Sequence, residues 1–243
     1  LDHVFVGTDF GPGSMTDSGY PRVTKRWTRG TPLSAAEVVY EGQTSDVWIG
    51  ASHDHTPGFE RDFVSRAITF YTNELYELKQ GALVRVDKPD DTEATVHKDH
   101  VFFQNRADWT VGGQTYPAGS LLVADYAKWM KGKRKVQALF TPTPTTSLAG
   151  FSITQNHLIL NTLDNVKNRL EVLTPGKKGW TRRPLEGLPE FGEVSATAVD
   201  PEQSDAIWLT VTDYLTPTSL WYGEIGQGAP RQIKQVPAFF NAD

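Results

Sequence analysis

Asp99-His100-Val101-Phe102-Phe103 is the stretch whose reading decides the fold, because its figure recurs along the chain. A polar residue, a histidine and three apolar residues appear first as Asp2-His3-Val4-Phe5-Val6 and again as Asn156-His157-Leu158-Ile159-Leu160. A last copy, Asp205-Ala206-Ile207-Trp208-Leu209, has alanine in place of histidine. Successive copies start 97, 57 and 49 residues apart. The first step is nearly twice the last, so a degenerate copy belongs between them, and Asp62-Phe63-Val64 lies in the right neighbourhood. A period of roughly 50 residues with four short strands per unit is the spacing of a β-propeller blade, a meander that buries its faces against its neighbours.

The texture around the repeats agrees. Short runs of β-branched and aromatic residues recur between turn signals, and 21 Gly with 15 Pro punctuate the whole length. Helical periodicity is confined to the neighbourhood of Tyr126 to Lys131, too short to support a helical architecture. The chain therefore reads as all-β, a single propeller domain over 1–243 with five four-stranded antiparallel blades at about 1–45, 46–92, 93–144, 145–192 and 193–243. In the last unit the strands, lettered a to d outward, read Glu193–Val199, Ala206–Thr212, Ser219–Ile225 and Arg231–Gln235. The unit before reads Leu148–Thr154, His157–Thr162, Arg169–Thr174 and Trp180–Pro184. The third unit has a long loop from Asn105 to Gly119. The first shows only Val4–Thr8, Val23–Arg29 and Glu37–Glu41, so its blade reads as incomplete and the chain as part of a longer polypeptide.

Composition narrows the function. There is no cysteine, so disulfides, thiolate metal sites and thiol nucleophiles are out. A net charge of -5 argues against a dedicated nucleic-acid binder. Apolar runs are too short for a helical membrane span, and no signal-peptide pattern opens the sequence, which leaves cytoplasm and periplasm both open. Lys128 to Lys135 is the one basic cluster, read as a solvated outer-strand turn.

Candidate chemistry is thin. Ser52-His53-Asp54 looks like a triad, but adjacent strand residues point to opposite faces and cannot act as nucleophile, base and orienter. The G-x-S-x-G elbow of a serine hydrolase does not occur. His53 and His55 share a face at strand spacing, yet no third ligand is indicated, so no metal is expected. Phosphate- and dinucleotide-binding fingerprints are missing, so no cofactor is expected either. His3, His100 and His157 read as turn or blade-packing residues. A sugar-processing propeller would need carboxylates converging at the axis, whereas Asp46, Glu93 and Glu193 lie only at strand ends.

Several turns resemble a known family. Thr8-Asp9-Phe10-Gly11-Pro12-Gly13-Ser14, Thr56-Pro57-Gly58-Phe59-Glu60-Arg61-Asp62 and Tyr116-Pro117-Ala118-Gly119-Ser120-Leu121 look like the propeller half of bacterial prolyl oligopeptidase-family serine peptidases. Leu163-Asp164-Asn165-Val166-Lys167-Asn168 and Thr212-Asp213-Tyr214-Leu215-Thr216-Pro217 resemble that family's b-to-c turns one blade apart. The resemblance implies a non-catalytic module that gates access to a separate α/β-hydrolase domain and contacts its oligopeptide substrate. The alternative is an independent propeller that serves as a protein- or peptide-binding scaffold. On either reading, this chain alone is not expected to cleave peptides.

The resemblance also singles out residues. Arg66, seven residues before Asn73 and followed by Leu75 and Tyr76, matches a family pattern in which the arginine hydrogen-bonds a carbonyl of bound peptide. Thr69 takes a nearby pocket-wall position, and the plain alternative for Arg66 is a surface ion pair with Glu60 or Glu74. The b-to-c loops Asp9–Pro21 and Asn105–Gly119 should face the hydrolase domain and expose Phe10, Trp109, Tyr116 and Tyr214. The open edge of the first blade is expected to pair either with Pro237-Ala238-Phe239-Phe240 or with a second copy of the chain.

Overall fold

The computed structural model describes residues 2–187, 192–238 and 240. Among them, strands form successive antiparallel meanders in chain order, the blade pattern of a β-propeller. The first sheet has three strands, β1 (His3–Val6), β2 (Val23–Thr28) and β3 (Glu37–Glu41), with a 3-10 turn at Leu33–Ala35. The second has four, β4 (Trp48–Asp54), β5 (Arg61–Ala67), β6 (Asn73–Lys79) and β7 (Ala82–Arg85). In the third, β8 (Thr92–His97) and β9 (His100–Asn105) precede an inserted hairpin, β10 (Trp109–Val111) and β11 (Gln114–Tyr116). The sheet is completed by β12 (Leu121–Asp125) and β13 (Gln137–Phe140), with α1 (Tyr126–Met130) between them. The fourth comprises β14 (Thr146–Ile153), β15 (Leu158–Asp164), β16 (Lys167–Thr174) and β17 (Thr181–Pro184). The fifth comprises β18 (Glu193–Ala198), β19 (Ala206–Thr212), β20 (Ser219–Glu224) and β21 (Arg231–Gln235).

Every copy of the repeat falls at the start of a strand b: β1, β9, β15 and β19, with Asp62-Phe63-Val64 in β5. The physical reason is the two-residue period of a strand. In β19, Ile207, Leu209 and Val211 are buried while Trp208 and Thr210 between them face outward.

The chain divides into two compact units. The first comprises Leu1–Ala118 with Leu122–Ala138, the second Gly119–Leu121 with Leu139–Asp243. In the second, the core joins Ile159, Leu170 and Val172 of the fourth sheet to Val194, Ile207 and Leu209 of the fifth. Polar groups fasten the same two sheets. Asp205 accepts hydrogen bonds from Thr154 Oγ1 (2.7 Å), the Asn156 backbone (2.8 Å) and Asn156 Nδ2 (2.8 Å). His157 Nδ1 lies 2.7 Å from Thr174 Oγ1, so the repeat histidine serves packing within its sheet. The outer strands β17 and β21 are exposed along their whole length, and their sequences, Thr-Arg-Arg-Pro and Arg-Gln-Ile-Lys-Gln, carry cations and no carboxylate.

In the first unit the core centres on Phe103, Val101, Leu122, Tyr126 and Trp129. Asp125 caps α1 by accepting the Lys128 backbone N–H at 2.9 Å, which turns Trp129 inward onto Phe103, ring centroids 4.7 Å apart. The Lys128 to Lys135 segment is thus more than a solvated turn, since a fully buried tryptophan sits inside it. The loop from Asn105 to Gly119 also departs from expectation. Its hairpin packs back onto the sheet, setting Trp109 edge-on to Phe103 at 5.3 Å and burying Tyr116, so neither is displayed as an exposed aromatic. Asn105 Nδ2 holds the loop ends by donating to the carbonyls of Ala107 (2.7 Å) and Pro117 (2.9 Å). Phe10 is likewise half-covered, with Lys25 Nζ 4.2 Å from its ring centroid. Of the terminal segment, Phe239 lies outside the described residues and Phe240 is exposed.

Candidate functional site

Arg66 stands near the end of β5, opposite Ile49 of β4 and Glu74 of β6. The cross-strand position makes the Arg66–Glu74 pair nearly inevitable, because directly opposed side chains lie within reach of each other. Arg66 Nη1 donates to Glu74 Oε2 at 3.0 Å. A second carboxylate grips the other side of the fork: Nε donates to Asp46 Oδ2 at 3.0 Å and Nη2 to Asp46 Oδ1 at 2.9 Å. Asp46 is only 2% exposed, and it also accepts the Gln43 backbone N–H at 2.7 Å. Glu60, the other partner considered from sequence, makes no ion pair with Arg66.

Charges alternate outward from this pair. Arg85 approaches Glu74 at 3.4 Å and also bonds Asp90, while Tyr76 OH donates to Glu74 at 2.7 Å. Burial pushes the Glu74 carboxyl up, but the bonds from Tyr76 and Arg66 and the nearby Arg85 charge outweigh it and hold the group below its ordinary value. The Asp46 bonds raise the Arg66 pKa against the opposing effect of burial, so the guanidinium stays charged. Three of its five N–H groups are committed to carboxylates and two remain.

Three residues beyond Arg66 the chain turns. Thr69 Oγ1 accepts the backbone N–H groups of Tyr71 and Thr72, both at 3.1 Å, and sits 2.7 Å from Thr72 Oγ1. Thr69 therefore builds the turn, and the turn displays Phe70 (84% exposed) and Tyr71 (67%). The Arg106 guanidinium lies 5.5 Å from the Tyr71 ring centroid, a cation–π contact that steadies it.

The same device recurs in the second unit. Asp213 Oδ1 accepts the backbone N–H groups of Leu215 (2.7 Å) and Thr216 (2.6 Å), and Tyr214, directly after Asp213, is 100% exposed. At the β15–β16 turn, Asn165 and Val166 both have positive φ, 47° and 62°, and Val166 is 89% exposed. A β-branched residue in the left-handed region is strained. Sequence reasoning identified Tyr214 but missed Phe70, Tyr71 and Val166. For Phe70 and Tyr71 the signal was available, a capping Thr followed at once by aromatic residues in a b-to-c turn, whereas at Val166 the Asn165 side chain donates to Asp164 Oδ1 instead.

The other candidates separate. His53 Nδ1 lies 2.6 Å from Asp62 Oδ1, whereas Asp54 accepts from Thr56 Oγ1 at 2.6 Å, so His53 and Asp54 are engaged with different partners, and Ser52 is exposed. His53 and His55 do meet, ring centroids 4.4 Å apart. Among the described residues no group of three or more His, Cys, Asp or Glu is arranged to hold a metal ion.

Residues 2–236 match the family model for the prolyl oligopeptidase N-terminal β-propeller domain. An uncharacterized peptidase of Sinorhizobium fredii, y4nA, is 30% identical over 98% of this chain and 34% of its own length. An uncharacterized peptidase of Rickettsia prowazekii, RP174, is 24% identical over 85% of the chain and 30% of its own length. The chain thus spans about a third of the curated relatives it matches. In fold it is similar to a post-proline cleaving enzyme from Rickettsia typhi, with a TM-score of 0.87 and 20% identity over 99% of this chain and 36% of that one. It is also similar to oligopeptidase B from Leishmania major, with a TM-score of 0.65 and 13% identity over 96% of this chain and 32% of that one.

Proposed function

This chain belongs to the prolyl oligopeptidase family as its N-terminal β-propeller domain, and from that premise we propose that it gates and lines the approach to a separate α/β-hydrolase domain of a peptidase. The observation that carries the reading is the set of three b-to-c turns displaying Phe70, Tyr71, Val166 and Tyr214, two of them capped by Thr69 and Asp213. In each of the two units taken by itself, apolar residues held out on such turns suit a surface that another domain or a peptide covers. The turn hydrogen bonds fix the backbone that carries Phe70, Tyr71 and Tyr214, so binding has less loop freedom to take from it.

Arg66 fits the role of a peptide contact because two N–H groups remain on a guanidinium already held in place by Asp46 and Glu74. A peptide carbonyl would meet a preorganised donor. Thr69 contributes by setting the turn that presents Tyr71. Chemistry itself would come from the hydrolase domain, since no serine elbow occurs in this sequence.

The test is cleavage of a short proline-containing peptide by the chain extended to the length of its relatives. Replacing Tyr71 and Tyr214 with serine should leave the melting temperature within about 1 °C, because both side chains are solvent-exposed, yet lower kcat/KM or admit longer substrates. Arg66→Lys, which keeps the charge and loses the fork, should raise KM more than it lowers kcat. Unchanged kinetics in all these variants would favour the independent scaffold instead.

A further inference from the structure

A cleft of about 420 Å³ lies between Asp87, Lys88 and Pro89 on one side and Trp109 to Gly112 of the hairpin on the other, with Arg134 across its end. A second hollow of about 380 Å³ shares Val111, Gly112 and Arg134 and continues past Tyr116 and Val136 to Lys135. Lys88 is the unusual member. It is 6% exposed, and its ammonium donates to two carbonyls, Asn73 at 2.8 Å and Pro89 at 3.4 Å. An ammonium has three N–H groups, so one is left over. No carboxylate among the described residues reaches ion-pairing distance of it; Asp90 is engaged by Arg85 and Glu93 by Arg106.

A buried charge without a counter-charge is costly, and the cost shows: burial pushes the Lys88 amine down to about 8, against the opposing pull of Glu93 and Asp90, with Arg85 adding to the depression. A carboxylate arriving from outside would supply the missing charge. The surroundings favour it, because Lys135 is exposed on the adjoining hollow and Asp87, the acid that lines the cleft, is already bonded to Arg134 at 2.5 Å. Beside the polar Thr110 and Gln114, the side chains of Trp109, Val111 and Val136 give apolar wall that would receive methylene groups. A single uncommitted N–H on a lysine that lines the cleft with Trp109 and Val111 suits a carboxylate better than a phosphate, which calls for several converging donors.

We propose that this cleft binds an acidic side chain of a peptide, glutamate or aspartate, with its carboxylate seated on the Lys88 ammonium. The site is independent of Arg66 and stands or falls separately from the gating role.

The experiment titrates the 243-residue chain with acetyl-Val-Glu-Val-amide, its glutamine analogue and inorganic phosphate, following isotope-labelled lysine side chains by NMR. The glutamyl peptide should bind about tenfold more tightly than the glutamine analogue, as a charge-assisted bond would give, and should raise the Lys88 titration midpoint. Lys88→Met should bring the two peptides to equal affinity. Because the wild-type contrast needs no variant, the test survives a Lys88→Met protein that fails to fold. Equal affinity of the two peptides for the wild type, an unmoved Lys88 midpoint, or tighter binding of phosphate than of the glutamyl peptide would overturn the proposal.

Discussion

Asn156 and Asp205 hold the same place in consecutive repeats, and they are hydrogen-bonded to each other: the Asn156 backbone reaches Oδ1 of Asp205 at 2.8 Å and its side-chain amide reaches Oδ2 at 2.8 Å. Thr154 adds a third bond to the same carboxylate. These contacts and the polar neighbours of Asp205 act in opposition to its burial, and the bonds prevail, holding the carboxyl below its ordinary value. The fastening joins the fourth and fifth sheets where their repeat motifs begin.

Replacing Asp205 with alanine should therefore cost about 2–3 kcal/mol, because bonds to a charged acceptor are lost and the Thr154 hydroxyl and Asn156 amide are left without it. Urea unfolding of the wild type and Asp205→Ala measures the difference. A loss under about 0.5 kcal/mol would mean that the apolar core alone holds the two sheets.

Acid should weaken the molecule before its carboxylates titrate. Burial lowers the pKa of both His100 and His157, so the native state binds protons less readily than the unfolded chain. Stability is then greatest above the ordinary histidine range and declines as pH falls from about 7 to about 5. Unfolding free energies across that window should slope upward with pH in the wild type and flatten in a His100→Gln, His157→Gln double variant. The same slope in both proteins would remove these histidines from the account.

Val166→Gly should stabilise the chain by about 0.5–1 kcal/mol, since glycine adopts positive φ without strain and Asn-Gly is the favoured two-residue hairpin turn. Thermal melts decide it. If Val166 also serves as a contact residue, the same variant should lose peptidase activity in the longer protein while its melting temperature rises.

Gly112→Ala tests the inserted hairpin. A Cβ there would stand 2.5 Å from the Arg134 carbonyl oxygen, and φ is +60°, so both space and backbone oppose a side chain. A loss of about 1–3 kcal/mol is expected, with a change in tryptophan fluorescence as Trp109 leaves Phe103 and Trp129. Unaltered fluorescence and stability would show that the hairpin tip moves aside freely.

Much of the architecture was legible in the sequence because blade strands announce themselves twice, by two-residue alternation and by turns at fixed intervals. The four strands of the last unit lie within one residue of where alternation puts them. The loop after Asn105 was opaque for a physical reason. Trp109 and Tyr116 look the same in sequence whether they face solvent or fold back on a sheet, and for Trp109 the choice is made by packing on Phe103 of β9 and on Trp129, which belongs to a separate element further along the chain. The candidate site divides likewise. Glu74 follows Arg66 closely enough for a hairpin to oppose them, whereas Asp46 belongs to a segment ahead of β4 and nothing local ties it to Arg66.

The outer strands carry a consequence for crowding. Arg182 and Arg183 in β17, and Arg231 and Lys234 in β21, lie along the outermost strands of the fourth and fifth sheets, the borders a further strand would have to join. Two copies approaching border to border would bring like charges into register before a ladder could form, and Pro184 offers no N–H to extend one. Repulsion along these borders would therefore oppose edge-to-edge stacking in a dense suspension, although the chain as a whole is acidic.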